Sequence, residues 1–222
     1  MLKNYYRMFK KRGVKLPILY FLNVHLFDIL HKTDTQIWLP KHSYNKNLRN
    51  LKFGVLYMAA WTDAINWSFN FCKKKLNKNF KDFKFVDIGC GKGKVLISWG
   101  INCKKNKISM NISGFDYYEP LIEIAKKNLK ISGLQNNIKV EMKDVVNFKF
   151  KNVKTIFFLY NPFNLNLLRK IIKKLQNRNY LIIYNNPVHL NFFKRNDFIE
   201  IGKLKKFHKS QNISVLIYNL SK

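Results

Sequence analysis

The chain has 222 residues, and 42 Lys or Arg against 12 Asp or Glu give it a formal net charge of +30. With 47% hydrophobic and 15% aromatic residues, it carries enough apolar material for one domain with a sizeable core plus an appendage, which excludes a disordered chain. Cys72, Cys90 and Cys103 form no CxxC pair, and neither they nor His25, His31, His42 and His208 stand at metal-ligand spacing. That pattern excludes a zinc finger, gives no metal site and suits a reduced, cytoplasmic compartment.

A charge of this size has two readings. One is binding to RNA, DNA or an anionic membrane. The other is codon bias: 36 Lys against 6 Arg, and 28 Asn against 4 Ala, is the skew of an AT-rich genome. Arg, the residue suited to forked phosphate contacts, is the scarce one. Bias therefore carries more weight, with nucleic acid kept as a possible partner.

In chain order, Lys3, Arg7, Lys10, Lys11, Arg12 and Lys15 precede the apolar run "LPILYFLNVHLFDIL". Asn23, His25 and Asp28 interrupt that run, and no small-residue cleavage site follows, so it is neither a signal peptide nor a membrane span. The expectation is an amphipathic helix over Leu16–Leu30 packed on the domain, with no integral membrane association. A basic, aromatic helix lying on a membrane surface is the alternative. Thr33–Asn47, broken by Pro40, is a connector, and Lys52–Leu76 reads as a long helix ending in lysines. Residues 1–80 thus form a helical leader, expected to pack with 16–76 over the carboxyl ends of the strands that follow.

From Phe83 short apolar runs alternate with helical stretches. Strands are expected at "FKFVDIG", "ISGFD", "IKVEMKD", "TIFFLYN" and "YLIIYNN", then at "FIEIGKLKKF" and "ISVLIYNL". Helices are expected from Gly93, at Glu119–Gly133 with Pro120 in the first turn, and at Leu165–Leu175. The alternation predicts an α/β, Rossmann-like fold: a mostly parallel seven-stranded sheet with an antiparallel C-terminal strand. Ligands bind such sheets at the carboxyl ends of the strands, near the switch in strand order.

"FVDIGCGKGKV" places Gly89, Gly91 and Gly93 in a turn between the first strand and a helix, with Asp87 just ahead. Glycines let a ligand approach the backbone closely. The spacing is G-x-G-x-G rather than the dinucleotide G-x-G-x-x-G, and a carboxylate is a poor neighbour for phosphate, which disfavours an oxidoreductase. It suits an ammonium or sulfonium. Among only 12 acids, Asp87, Asp116 and Asp144 each end a successive strand. Asp116, 23 residues after Gly93, suits the two hydroxyls of a ribose, and Asp144 suits the amino group of an adenine. The competing reading is that these acids cap the helices that follow.

"VDIGCGKGKVL", "GFDYYEPLIEIAKKNL" and "EMKDVVNF" resemble the successive cofactor motifs of class I S-adenosylmethionine-dependent methyltransferases, and the resemblance runs from about Phe80 to the C-terminus. It implies a methyltransferase domain over 81–222 with S-adenosylmethionine as cofactor. Asp87, Gly89, Cys90, Gly91 and Gly93 would hold the methionine end, Asp116 and Tyr117 the ribose, and Asp144 and Val145 the adenine. Lys92 and Lys94 depart from nothing essential. A closer match is to a small, largely uncharacterised bacterial group of these enzymes, through Asp34-Thr35, Tyr57, "YNPF" (Tyr160–Phe163) and "YNNPVH" (Tyr184–His189), the last with an extra Asn.

"YNPF" is similar to the Asn-Pro-Pro-aromatic motif of methyltransferases acting on planar nitrogens, but lacks the second proline. It makes Asn161 a positioning residue and Pro162 and Phe163 acceptor contacts, with Tyr160 or Phe163 stacking on an aromatic acceptor; an ordinary turn at the strand end is the alternative. His189 is the histidine nearest the expected site and the candidate proton acceptor. The expected reaction is methyl transfer to an unidentified acceptor, such as a nitrogen on a protein or RNA. The competing function is a catalytically silent module of the same fold docking a basic surface on RNA or membrane.

Overall fold

The computed structural model describes residues 2–36, 57–176 and 180–218. The leader begins with α1 (Leu2–Arg12), followed after Gly13 by α2 (Lys15–Tyr20), a π-helical turn (Phe21–His25) and α3 (Leu26–His31). The predicted Leu16–Leu30 helix is therefore one run interrupted by a π-turn. Asn23, inside that turn, reaches two elements at once. Its side-chain oxygen accepts from the Asp63 N–H (2.9 Å), and its backbone oxygen accepts from Thr62 Oγ1 (2.8 Å) and Lys94 Nζ.

The expected Lys52–Leu76 helix is shorter. α4 spans Thr62–Leu76, and Trp61 ahead of it is extended (φ −73°, ψ 135°). The residues before Tyr57 lie outside the described residues, as does most of the Thr33–Asn47 connector. Apolar periodicity runs through 57–61, but tertiary partners take those backbone groups: the Trp61 N–H donates to Gln211 Oε1 at 2.9 Å. α4 has no capping side chain of its own, and Asn23 supplies the cap from another helix. Asp63 in its first turn pairs with Lys206.

Beyond the leader come β1 (Lys84–Ile88), α5 (Lys94–Lys105), β2 (Ile112–Asp116), α6 (Glu119–Ile131), β3 (Ile138–Met142) and β4 (Thr155–Tyr160). α7 (Leu165–Leu175), β5 (Tyr180–Asn185), α8 (Leu190–Lys194), β6 (Phe198–Leu204) and β7 (Ile213–Tyr218) follow. The seven strands form one sheet in the order β3-β2-β1-β4-β5-β7-β6. β7 runs antiparallel to both neighbours and the other pairings are parallel. This is the Rossmann-like arrangement expected from the alternation, and its direction reverses between β1 and β4, where such sheets open a crevice.

Two apolar clusters sandwich the sheet. One unites leader and sheet: Leu16, Val24, Phe27, Ala60, Trp61, Ile65 and Phe69 pack with Phe85, Leu96, Trp99, Ile156 and Ile183. The stacked pair Phe85–Trp99, with ring centroids 3.8 Å apart, lies within it. The other gathers α7 and α8 residues such as Leu168, Ile172 and Phe193 against Val86, Phe157 and Ile182. Contrary to the expected placement of all of 16–76 over the strand ends, α4 lies on a face of the sheet beside α5. Its Phe71 ring fills the space over Gly202, where an added Cβ would come within 2.3 Å of Cζ. Among the described residues of the leader, the stretches around Thr33–Thr35 and Tyr57–Ala60, together with Asn23 through Lys94, are the ones that reach the carboxyl ends.

Candidate active site

The carboxyl ends of β1–β5 and the leader enclose a cleft with an empty volume of about 1060 Å³, its solvent-facing mouth included. Asp87, Gly89 and Cys90 line it from the first strand end, Asp116 and Tyr117 from the second, and Asp144 and Val145 from the third. Tyr160, Asn161, Pro162 and Phe163 line it from the fourth strand and Asn186 from the fifth. Tyr57–Ala60 of the leader and Lys94 of α5 complete the wall. Gly91, Gly93 and His189, named from the sequence, are not part of that wall.

Gly91 is covered from within the chain. It has φ +51°, and a Cβ there would lie 2.1 Å from the Tyr57 ring. The sequence reading reserved this space for the cofactor, whereas a leader tyrosine fills it. Burial keeps the Tyr57 phenol un-ionised, so it donates to the Thr35 carbonyl (2.6 Å) while accepting from the Lys92 backbone N–H. Gly89 (φ +77°) packs on Pro162, 3.0 Å from where a Cβ would stand. The glycine turn is thus closed between the leader and the "YNPF" turn.

The Asp34-Thr35 element explains Lys92, which the sequence reading passed over. Lys92 is 1% exposed, and its ammonium reaches both oxygens of Asp34 at 3.1 Å. Asn128 of α6 ties the same segments, accepting from the Asp34 N–H (2.9 Å) and donating to the carbonyls of Asp34 and Lys92 (3.0 Å each). Asp28 anchors the element from below through Thr33 Oγ1 (2.7 Å), Thr35 Oγ1 (2.7 Å) and the Thr35 N–H.

The three strand-end acids differ in their commitments. Asp144 Oδ1 accepts from the Val146 N–H (2.9 Å), the capping alternative realised. Asp116 accepts from the N–H groups of Gly91 and Tyr118 (3.0 Å each), locking the turn to the second strand end. The Tyr117 N–H donates to the same carboxylate, so of its roughly four lone-pair sites three are taken within the turn and one is left for a ligand hydroxyl. Asp87 is 3% exposed and its Oδ2 has no hydrogen-bond partner. Burial, reinforced by the neighbouring Asp116, pushes the Asp87 carboxyl well above its ordinary range, and burial raises Asp116 to about 6 despite its backbone donors. Buried acids lacking a cation are costly when ionised, so this pair suits a ligand that brings positive charge and hydroxyl donors.

Lys94 stands on the leader side of the cleft. It is 2% exposed, donates to the Asn23 carbonyl (2.5 Å) and lies 4.9 Å from the Phe27 ring centroid. Burial holds its ammonium down to about 7, with Asp28 and Asp63 near enough to oppose that shift. Asp28 is engaged by Thr33 and Thr35, and Asp63 by Lys206. The signal for Lys94 was its place directly after the last glycine, where its side chain turns back to the leader.

At the ends of the fourth and fifth strands, Asn161 has φ +38° and Asn186 has φ +51°, each directly before a proline. Asn161 Oδ1 accepts from the Tyr184 hydroxyl (2.9 Å), which burial raises to about 12. That hydroxyl also accepts from the His189 N–H (3.3 Å), so His189 meets the site through its backbone. Tyr160 takes a 2.6 Å hydrogen bond from Gln211, and burial pushes its pKa up as well. Neither phenol is a base near neutral pH. Asn186, which lines the cleft, and Gln211, which holds the Tyr160 hydroxyl, were not singled out from the sequence. The doubled Asn of "YNNP" was the signal for Asn186, and nothing local marked Gln211.

A nucleoside-sized crevice at the strand switch, walled by acids on three successive strands, defines a class of Rossmann-like transferases. The family model described as "Methyltransferase domain" matches residues 79–212, and the chain belongs to that family of enzymes. Among solved structures it is similar to the ribosomal protein L11 methylase of Lactobacillus delbrueckii subsp. bulgaricus (13% identity, TM-score 0.50, covering 70% of this chain and 76% of that one). The methyltransferase domain of bacterial CtHen1-C is similar (15%, 0.50, covering 71% and 97%). So is a variant of MtNAS in complex with S-adenosylmethionine (15%, 0.50, covering 70% and 62%). At these identities the likeness is one of fold. No curated protein matches the sequence.

The raised Asp116 carboxyl carries a pH signature. The ligand-free folded state binds its proton more tightly than the unfolded chain does. The resulting stability is full below about pH 4 and is lost as pH rises through about 6. The shift is worth about 3 kcal/mol. Asp116→Asn should make the fall in stability between those pH values shallower, with the share of the raised Asp87 remaining, measured by urea unfolding of ligand-free protein at a series of pH. An unchanged slope would show that Asp116 does not titrate there.

Proposed function

We propose that this methyltransferase uses S-adenosylmethionine and transfers its methyl group to a nitrogen held at the end of β4. The observation that carries the cofactor assignment is the orphaned Asp87 Oδ2, buried in the cleft wall beside Asp116. An acid left without a donor at the end of the first strand fits the ammonium of a methionine moiety. Asp116 then takes the ribose hydroxyls and Asp144 and Val145 the adenine, with Gly89, Cys90 and Tyr117 as backbone and packing contacts. Lys94 of α5, lining the same cleft, fits the methionine carboxylate, so an acid and a base in one wall orient a zwitterion. S-adenosylmethionine supplies a methyl group already activated by its sulfonium, and the nucleophile gains that methyl as S-adenosylhomocysteine departs.

The chain's own residues then need to orient the acceptor and exclude water. Asn161 is held by the Tyr184 hydroxyl and by the proline that follows, leaving little side-chain freedom to lose. A neutral amine loses its proton after transfer, so the un-ionised Tyr160 and Tyr184 serve as hydrogen-bonding walls rather than bases. We further assign the chain to the small bacterial group sharing the Asp-Thr, Tyr57 and Tyr-Asn-Pro elements. Support comes from Asp34, Thr35 and Tyr57 gathering at the glycine turn and "YNPF" at the same cleft.

Calorimetric titration tests the cofactor assignment. S-adenosylmethionine should bind and NAD should not. Asp116→Ala should weaken both S-adenosylmethionine and 5′-methylthioadenosine by ~1–3 kcal/mol, since both carry the ribose. Lys94→Met should weaken S-adenosylmethionine by a similar amount and leave 5′-methylthioadenosine unchanged, because only the former has a carboxylate. Equal losses for both ligands in Lys94→Met would contradict its role.

Asn161→Ala should lower transfer of labelled methyl into cell extract by about 100-fold per folded molecule, with cofactor affinity retained. Near-normal transfer accompanied by a lower melting temperature would leave "YNPF" a structural turn.

A further inference from the structure

The leader packs one face on the domain and leaves a second apolar face uncovered. On the inner side, Leu16, Val24 and Phe27 are buried in the shared core. On the outer side, Val14, Ile18, Phe21, Leu22, Ile29 and Leu30 are all exposed, from 43% for Phe21 to 67% for Leu30. Their spacing of three, four and seven residues sets them along one side of the helical run. Tyr6 and Phe9 of α1 are exposed too, while Tyr5 of that helix turns inward against Tyr20 and His25. Eight of the sixteen large hydrophobic residues exposed among the described residues therefore fall between positions 6 and 30. An isolated exposed leucine needs no explanation, but a concentration on one helical surface does.

The charge on this segment says what covers it. Residues 1–27 contain Lys3, Arg7, Lys10, Lys11, Arg12 and Lys15 and no Asp or Glu. The first acid, Asp28, is buried and engaged with Thr33 and Thr35. A second protein would have to cover this apolar side with acidic residues of its own at matching spacing. Nucleic acid would meet the cations, but it offers nothing to the aliphatic side chains of Val14, Ile18, Leu22 and Ile29. A lipid surface with anionic headgroups satisfies both at once. The segment lies in the plane of such a surface, since among the described residues no helix is long and apolar enough to cross a membrane.

We propose that α1 and the α2–α3 run form a peripheral docking surface for anionic lipid bilayers. The apolar side chains enter the headgroup boundary and the basic residues contact the phosphates. The other side of the same run carries Asn23, whose carbonyl takes the Lys94 ammonium at the cleft, and Asp28, which anchors the Asp34-Thr35 element. The element that docks is therefore also the one that walls the cleft. The docking itself does not depend on the identity of the cofactor.

The test is co-sedimentation of the full chain with vesicles of phosphatidylcholine alone and of phosphatidylcholine with phosphatidylglycerol. Binding should require phosphatidylglycerol at low salt and survive in part at about 0.5 M salt, where exposed charges are largely screened. Ile18→Ser combined with Leu22→Ser keeps every charge and should weaken vesicle binding about tenfold or more, the melting temperature staying close to wild type. In a separate Leu22→Trp variant, fluorescence should shift to the blue on vesicle addition and be quenched by brominated lipid. Vesicle binding abolished by salt and indifferent to the double serine change would reduce the interaction to net charge and overturn the proposal. So would tight binding of a single-stranded RNA oligonucleotide, lost in the serine variant, with no blue shift on vesicles. Either result leaves calorimetric binding of S-adenosylmethionine untouched, so it is distinguishable from a failure of the cofactor assignment.

Discussion

A carboxylate shut away from water must find its donors inside the fold, and Asp28 finds them in Thr33 and Thr35. The chain leaves α3 through Lys32 in the left-handed region (φ 55°) and doubles back onto its own helix. That reversal lays Asp34 and Thr35 across the glycine turn. Lys92 and Asn128 seize Asp34, and Tyr57 donates to Thr35 while its ring roofs Gly91. Each donor that Asp28 satisfies would otherwise be a buried orphan costing on the order of 1–3 kcal/mol. The arrangement is therefore one cooperative network rather than a set of separate contacts.

The cleft inherits its shape from this network. The turn is fixed on three sides: by the leader at Gly91, by Pro162 at Gly89, and by Asp116 through the Gly91 N–H. A rigid turn keeps Asp87 and Lys94 fixed in the wall of one cleft, and a methyl-transferring enzyme depends on such preorganisation because there is little covalent chemistry for side chains to perform. The leader is accordingly part of the active-site architecture. Leu16, Val24, Phe27 and Trp61 share one core with the strands, so loosening the leader loosens the wall.

Much of the catalytic domain was legible because its signals are local. Strands of five to seven residues built around short apolar runs, Pro120 at a helix start and the G-x-G-x-G turn each declare themselves within a few positions. Asp87, Asp116 and Asp144 stood out because acids are scarce in this chain, and all three line the cleft. What sequence could not provide were partners distant along the chain. Gly91 read as space for a ligand, yet Tyr57, 34 residues earlier, fills it. The apolar stretch before Thr62 read as helix, yet Gln211 takes the Trp61 N–H and Asn23 caps the helix at Asp63 instead. Lys92 and Lys94 read only as departing from nothing essential in the cofactor motif, yet both are buried. His189 was close in sequence to the fifth strand end, but its side chain is not part of the cleft wall.

The leader holds the glycine turn in place through the Asp28 network. Hydrogen exchange of the backbone amides in the whole 222-residue chain, with and without Asp28→Ala, tests this. If the network is cooperative, removing the Asp28 carboxylate will speed exchange at Thr35 and, in step with it, at Gly91 and Lys92. Amides in the middle of β4 and β5 will keep their protection. Fast exchange confined to Thr33–Thr35, with the amides of Gly91 and Lys92 as protected as before, would contradict the claim and leave the leader a passive cover over a turn that holds itself.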